Sequence, residues 1–175
     1  MKSKILILMV LCVALVVFPK LSYPAERATE EDAMQMVEMA GKMIEMMGDA
    51  ALTAISDLSG RCCDKERDLY VFVYSDDVVM LANSLRHDVI GVSFKSNDPI
   101  VYNYQVSELL VKKAMKEGNG WVEHAYMNSG SGQINMKHTY AKLFRSADKN
   151  YIVCSGVWYG LPTDFVQQSE SEYLY

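Results

Sequence analysis

Tyr70, Phe72 and Tyr74 alternate along one short segment, and Trp121, His124, Lys137, His138 and Tyr140 fall between positions 121 and 140. These types suit the capture of a small anion. Such a ligand needs one positive charge and several directional donors inside a shell apolar enough to exclude water. The aromatic residues supply walls, phenolic hydroxyls and an indole N–H, and Lys137 supplies the charge. His124 and His138 would face each other across two strands joined by a turn near Gly130, but no third ligand with zinc-site spacing follows them. Met36-x-x-Met39 and Met43-x-x-Met46 place thioethers one helical turn apart, a spacing able to hold Cu(I). The same residues read more simply as pliable packing or a dimer stripe. Catalytic signatures do not occur: there is no nucleophile–base pair, Gly-rich phosphate loop or metalloprotease motif, and Ser155-Gly156 lacks the preceding Gly-x of a nucleophile elbow. We therefore expect a binding module without catalysis and without a cofactor.

The elements that would position these side chains follow from periodicity. Thr29 followed by Glu30, Glu31 and Asp32 is a helix start with acids in the first turn. Met36, Met39, Ala40, Met43, Met46, Met47, Ala50 and Ala54 then recur at three- and four-residue spacing, which predicts an amphipathic helix over 30–58, bent at Gly48 and ended by Gly60. Residues 68–75 are β-branched and aromatic, predicting a strand with Leu69, Val71 and Val73 on one face and Tyr70, Phe72 and Tyr74 on the other. Asp76-Asp77 turns the chain into a second strand over 78–83. Residues 84–100 carry no regular pattern, 106–116 are helical, and strands follow over 121–126, 134–145 and 151–159. Short turns between consecutive strands argue for one five-stranded antiparallel sheet covered by helices, an α+β domain. Alternation sends Lys137 and Tyr140 to opposite faces unless a bulge intervenes. The expected pocket lies on the face away from the long helix, at the level of Tyr70, Trp121 and Tyr140, with 84–100 closing over it.

The 175 residues are 50% hydrophobic and 22% charged, with a net charge of −5, which fits one globular domain and excludes a basic nucleic-acid-binding face. Lys2 and Lys4 precede a charge-free apolar run over 5–18. That run is short for a bilayer span of ~20 residues and has the flanks of a secretory signal peptide. Cleavage after Ala25 would remove three lysines (Lys2, Lys4, Lys20) and no acid, leaving 14 basic against 22 acidic residues, a net −8. An uncleaved anchor is the alternative. Residues 161–175 form a polar tail. Cys62, Cys63 and Cys154 remain after cleavage, an odd count that leaves at least one thiol unpaired.

Four segments in order resemble the single Cache domain family: Asp68-Leu-Tyr-Val-Phe-Val-Tyr74, Gly120-Trp-Val-Glu123, Lys137-x-x-Tyr140-x-Lys142 and Ile152-Val-Cys-Ser-Gly-Val-Trp158. The resemblance spans roughly 29–160. It implies a long N-terminal helix on a PAS-like antiparallel sheet, and an extracytoplasmic sensor of short carboxylates or amino-acid-like ligands. It favours the pocket reading of Trp121, Lys137 and Tyr140, and with the residue types it makes Tyr70, Phe72, Tyr74, Trp121, His124, Lys137 and Tyr140 the expected ligand-binding set. A stand-alone exported member, periplasmic or extracellular, would signal through a membrane receptor or kinase partner, with a homodimer through the N-terminal helix. The alternative is a metal- or redox-handling envelope protein using the Met-rich helix and Cys62/Cys63.

Overall fold

The computed structural model describes residues 27–95, 104–127 and 134–159. The expected signal peptide, the polar tail and the turn near Gly130 lie outside the described residues. Helix α1 spans Glu30–Met47, and a capping box fixes its start. Thr29 N–H donates to Asp32 at 2.9 Å, and Asp32 N–H donates to the Thr29 hydroxyl at 3.2 Å, satisfying two otherwise orphaned donors. Gly48, with φ at +56°, breaks the helix rather than bending it, and the short helix α2 (Ala50–Ile55) follows.

The face of α1 that meets the sheet is not the methionine stripe. It is Ala33, Val37, Ala40, Gly41 and Ile44, with Met36, Met39 and Met43 flanking and Met34, Met46 and Met47 exposed. Small residues let the helix axis come close: a Cβ on Gly41 would lie 2.1 Å from the Phe144 ring. Flexible thioethers fill the margins of that contact.

The strands are β1 (Cys63–Asp64), β2 (Leu69–Ser75), β3 (Met80–Asn83), β4 (Asn119–Met127), β5 (Ile134–Ser146) and β6 (Lys149–Trp158). Among the described residues the expected five strands are therefore six. Their order is β3-β2-β6-β5-β4, all antiparallel, with two-residue β1 sharing β2's outer edge with β3. The second strand begins two residues later than its pattern predicts because Val78 occupies the turn at φ +60°. Residues 84–95 are more ordered than their composition suggests. A 3-10 turn covers His87–Val89. The chain then returns beside β3, with Met80 N–H donating to Val92 O and Phe94 N–H to Val78 O.

Alternation divides the sheet into two clusters. Val71, Val73, Tyr140, Phe144, Tyr151 and Val153 pack with α1 and α2. On the other face Tyr70, Phe72, Tyr74, Ala141, Ile152 and Cys154 pack with Leu110, Val111 and Ala114 of α3 (Tyr104–Glu117) and with Phe94. Among the described residues no helix is long and apolar enough to cross a membrane.

Candidate functional site

Lys137 lies in an unbroken register between two partners, His124 on β4 and Trp158 on β6. All three side chains therefore stand in one row on the α3 face. Lys137 is only 2% exposed. Its ammonium donates to the Tyr70 hydroxyl at 2.8 Å and sits over the rings of Tyr70 (4.1 Å), Trp158 (4.7 Å), Phe72 (5.6 Å) and Tyr126 (6.0 Å). Ring quadrupoles offset part of the loss of water, yet burial still brings the lysine down from 10.5 to about 8. Among the described residues no carboxylate lies at ion-pair distance from it.

His124 Nε2 is 2.9 Å from the Thr139 hydroxyl. Burial, and then the Lys137 charge, push its pKa down to about 4, so the ring is neutral at neutral pH. Gly156 faces Thr139 across β5–β6, and a Cβ there would lie 2.6 Å from the Thr139 hydroxyl. The missing side chain leaves room for the hydroxyl that orients His124. Among the described residues three buried polar atoms find no partner: His124 Nδ1, Asn135 Oδ1 and Trp158 Nε1. Asn135 pairs with Tyr126 two residues before Lys137 and so belongs to the same face. Unpaired buried polar atoms are uncommon, and each costs desolvation free energy. All three lie on the Lys137 face, His124 and Trp158 in its own row and Asn135 two residues before it. At the rim, Asn83 Oδ1 accepts from Leu85 N and Arg86 N, and Arg86 is forked onto Asp88 at 2.7 and 2.6 Å.

The expected site set is split by the sheet. Tyr70, Phe72, Tyr74, His124 and Lys137 share the α3 face. Tyr74 lies away from the lysine, its hydroxyl 2.9 Å from Ser107 on α3. Trp121 and Tyr140 pair directly with each other and face α1, their rings 5.2 Å apart. The expectation that they join Tyr70 on the face away from the long helix is corrected: β5 has no bulge to bring Tyr140 round. His124 and His138 likewise do not face each other. His138 pairs with Glu123, and its ring stacks on Trp121 at 4.5 Å on the α1 side. There His138 Nδ1 is 2.9 Å from Glu30 and 3.2 Å from the Tyr159 hydroxyl, which itself donates to Glu30. Burial and then the bond to Glu30 push Tyr159 up to about 12. The residues missed by sequence reasoning are Tyr126, Asn135 and Trp158. Trp158 stood in a quoted motif, but its role follows only from register.

The thiols are poorly placed for metal or redox chemistry. Burial pushes Cys62 up to about 11 and also raises Cys63 and Cys154, away from the reactive thiolate. Cys62 packs with the α1 cluster and Cys63 against the α3 cluster, on opposite faces of the sheet.

The described residues form a helix-covered antiparallel sheet with a buried, aromatic-shielded ammonium on one face. The chain belongs to the Cache family: the Cache domain family model matches residues 61–160. A solved Cache chemosensory domain, described for its recognition of carboxylic acids, superposes with a TM-score of 0.56 at 20% identity, covering 74% of this chain and 92% of that one. The periplasmic sensor domain of a chemotaxis protein gives 0.53 at 19% identity, covering 74% and 90%. A methyl-accepting chemotaxis protein from Vibrio parahaemolyticus gives 0.56 at 14% identity, covering 77% and 88%. At these identities the likeness is one of fold. Comparison with curated proteins gives no match. The domain is of the sensory, ligand-binding kind.

Proposed function

We propose that this domain is an extracytoplasmic receptor for a short carboxylate, held at Lys137, and that it passes the binding signal to a membrane receptor or kinase partner. The observation that carries this reading is the buried ammonium inside an aromatic box, with unpartnered polar atoms of His124, Asn135 and Trp158 on the same sheet face. A carboxylate supplies a counter-charge in direct contact, where Asp68 acts on the lysine only through its field, and it accepts from Trp158 Nε1 and the Tyr70 hydroxyl. The Cache relative described for carboxylic acid recognition gives independent support. Export through the N-terminal segment accords with this role, as does a homodimer. A groove of about 700 Å³ along the outer face of α1 is lined by Met34, Met39, Met43 and Met46 with Lys42 and Arg61, and it offers apolar surface to a second helix.

A thermal-shift screen of short acids, amino acids and amines tests the ligand class. An acid at 100 times its Kd raises stability by ~2.7 kcal/mol, and Lys137→Met abolishes the shift. A ligand that binds the Lys137→Met variant as tightly as the parent removes Lys137 from the site.

A further inference from the structure

We infer that the groove along α1 receives the α1 helix of a second copy running in the opposite direction, with Glu38 of each protomer set against the partner's Lys42. This rests on the homodimer reading and fixes its direction; the Lys137 face takes no part. Glu31, Met34, Gln35, Glu38, Lys42 and Met46 recur at three- and four-residue spacing and all line the groove, so they form one outward stripe. The stripe carries apolar surface that the fold leaves open: Met34 is 39% exposed and Met46 76%. A single exposed methionine is ordinary. A groove of about 700 Å³ with methionine along its length is an interaction surface.

Charge along the stripe is ordered. The acids Glu31 and Glu38 lie on its N-terminal side and Lys42 on its C-terminal side. Glu38 also holds Lys142, but Lys42 has no carboxylate at ion-pair distance among the described residues. An occupant of one sign meets a like charge somewhere in this groove. A second α1 stripe carries both signs, so its direction decides the fit. In a parallel two-fold pair equivalent residues meet, Glu38 on Glu38 and Lys42 on Lys42. Antiparallel pairing about position 40 instead sets Glu38 against the partner's Lys42 and Met34 against the partner's Met46, each contact made twice by symmetry. Like charges in contact oppose association, and opposite charges fix register. The 18 residues of α1 make a helix about 27 Å long. The two chains therefore enter such a pair from opposite ends, which suits a cleaved N-terminus over two anchors in one bilayer.

Photo-cross-linking of the full chain tests the direction. The photoreactive residue p-benzoylphenylalanine is placed at the exposed position 46. The covalent dimer is isolated and digested with trypsin, which cuts after Lys42 and separates residues 28–42 from residues 43–61. We expect the link to join 43–61 of one copy to 28–42 of the other. Sedimentation then reads the charges. Lys42→Glu should weaken the dimer about tenfold, Glu38→Lys likewise, and the double reversal should restore it. A link joining 43–61 to 43–61, with neither single reversal changing the dimer Kd, overturns the antiparallel direction and keeps the homodimer. A link from position 46 to residues 160–175 within a monomer overturns both in favour of the chain's own tail. A strict monomer at millimolar concentration overturns both as well.

Discussion

The two faces of the sheet are made by alternate residues of the same strands and have opposite character. On the α1 face Val71, Val73, Phe144 and Val153 pack with Val37, Ala40 and Ile44, and the polar contacts Lys142–Glu38 and His138–Glu30 flank that cluster. On the α3 face the same strands present Tyr70, His124, Lys137 and Thr139 beside Gly156. Burying methyl groups against a helix stabilises the fold directly. Burying an ammonium and leaving indole and amide atoms unpaired opposes it. The α1 face therefore anchors the domain, while the α3 face keeps a locally unfavourable arrangement, the one the proposed ligand would relieve. Sites of this kind commonly trade stability for binding.

The largest effect should come from damaging the anchoring face. Ile44 is fully buried between α1 and the sheet, and Ile44→Ala should cost about 2–5 kcal/mol in denaturant unfolding. Ligand affinity of the folded fraction should hold. A selective loss of affinity at unchanged stability would show that the two faces are not separable in this way.

Lys137→Met should do the reverse, abolishing acid binding while leaving stability at pH 7 equal or higher. The pH profile sharpens the point. Lys137 titrates at about 8 in the fold against 10.5 for an ordinary lysine. Between these values the unfolded chain binds more protons than the native state, so this residue's contribution to stability rises with pH. At pH 7 both states are charged and the burial penalty is complete, about 3 kcal/mol at the usual 1.36 kcal/mol per unit. The parent should gain on the Lys137→Met variant in chemical denaturation between pH 8 and 10. A constant difference across that range would mean the ammonium is not desolvated as described.

The smallest effect belongs to the contact between wall and charge. Tyr70→Phe keeps the ring over Lys137 and removes the hydroxyl 2.8 Å from it. It should cost about 1 kcal/mol in stability or in acid binding. A loss as large as that of Lys137→Met would make the hydroxyl, not the charge, the principal holder of the ligand.

Much of this division is legible in residue patterns. Period-2 alternation over 69–74 assigns Val71 and Val73 to one face and Tyr70 and Phe72 to the other, and it separates Lys137 from Tyr140. What alternation cannot supply is the pairing of β4 with β5. One residue of register separates His124 opposite His138 from His124 opposite Lys137, and that residue reverses a strand's two faces relative to its neighbour. Trp121 went to the wrong face for this reason. The α1 methionines misled differently: thioethers count as apolar in any periodicity, yet close approach to the sheet selects the small residues Ala33, Ala40 and Gly41. Two-residue β1 is too short to carry a pattern.

Lys137 and His138 are consecutive, so the cation of the binding face and the ring that touches Glu30 and Tyr159 hang from a single peptide plane. Glu30 opens the first helix and Tyr159 follows the last strand, the two places where the described domain meets the rest of the chain. In mechanical terms β5 is a lever with a very short arm. A tilt of that one plane would move the buried ammonium and the Glu30–Tyr159 contact between the domain's two ends together, without a relay of side chains through the packed core.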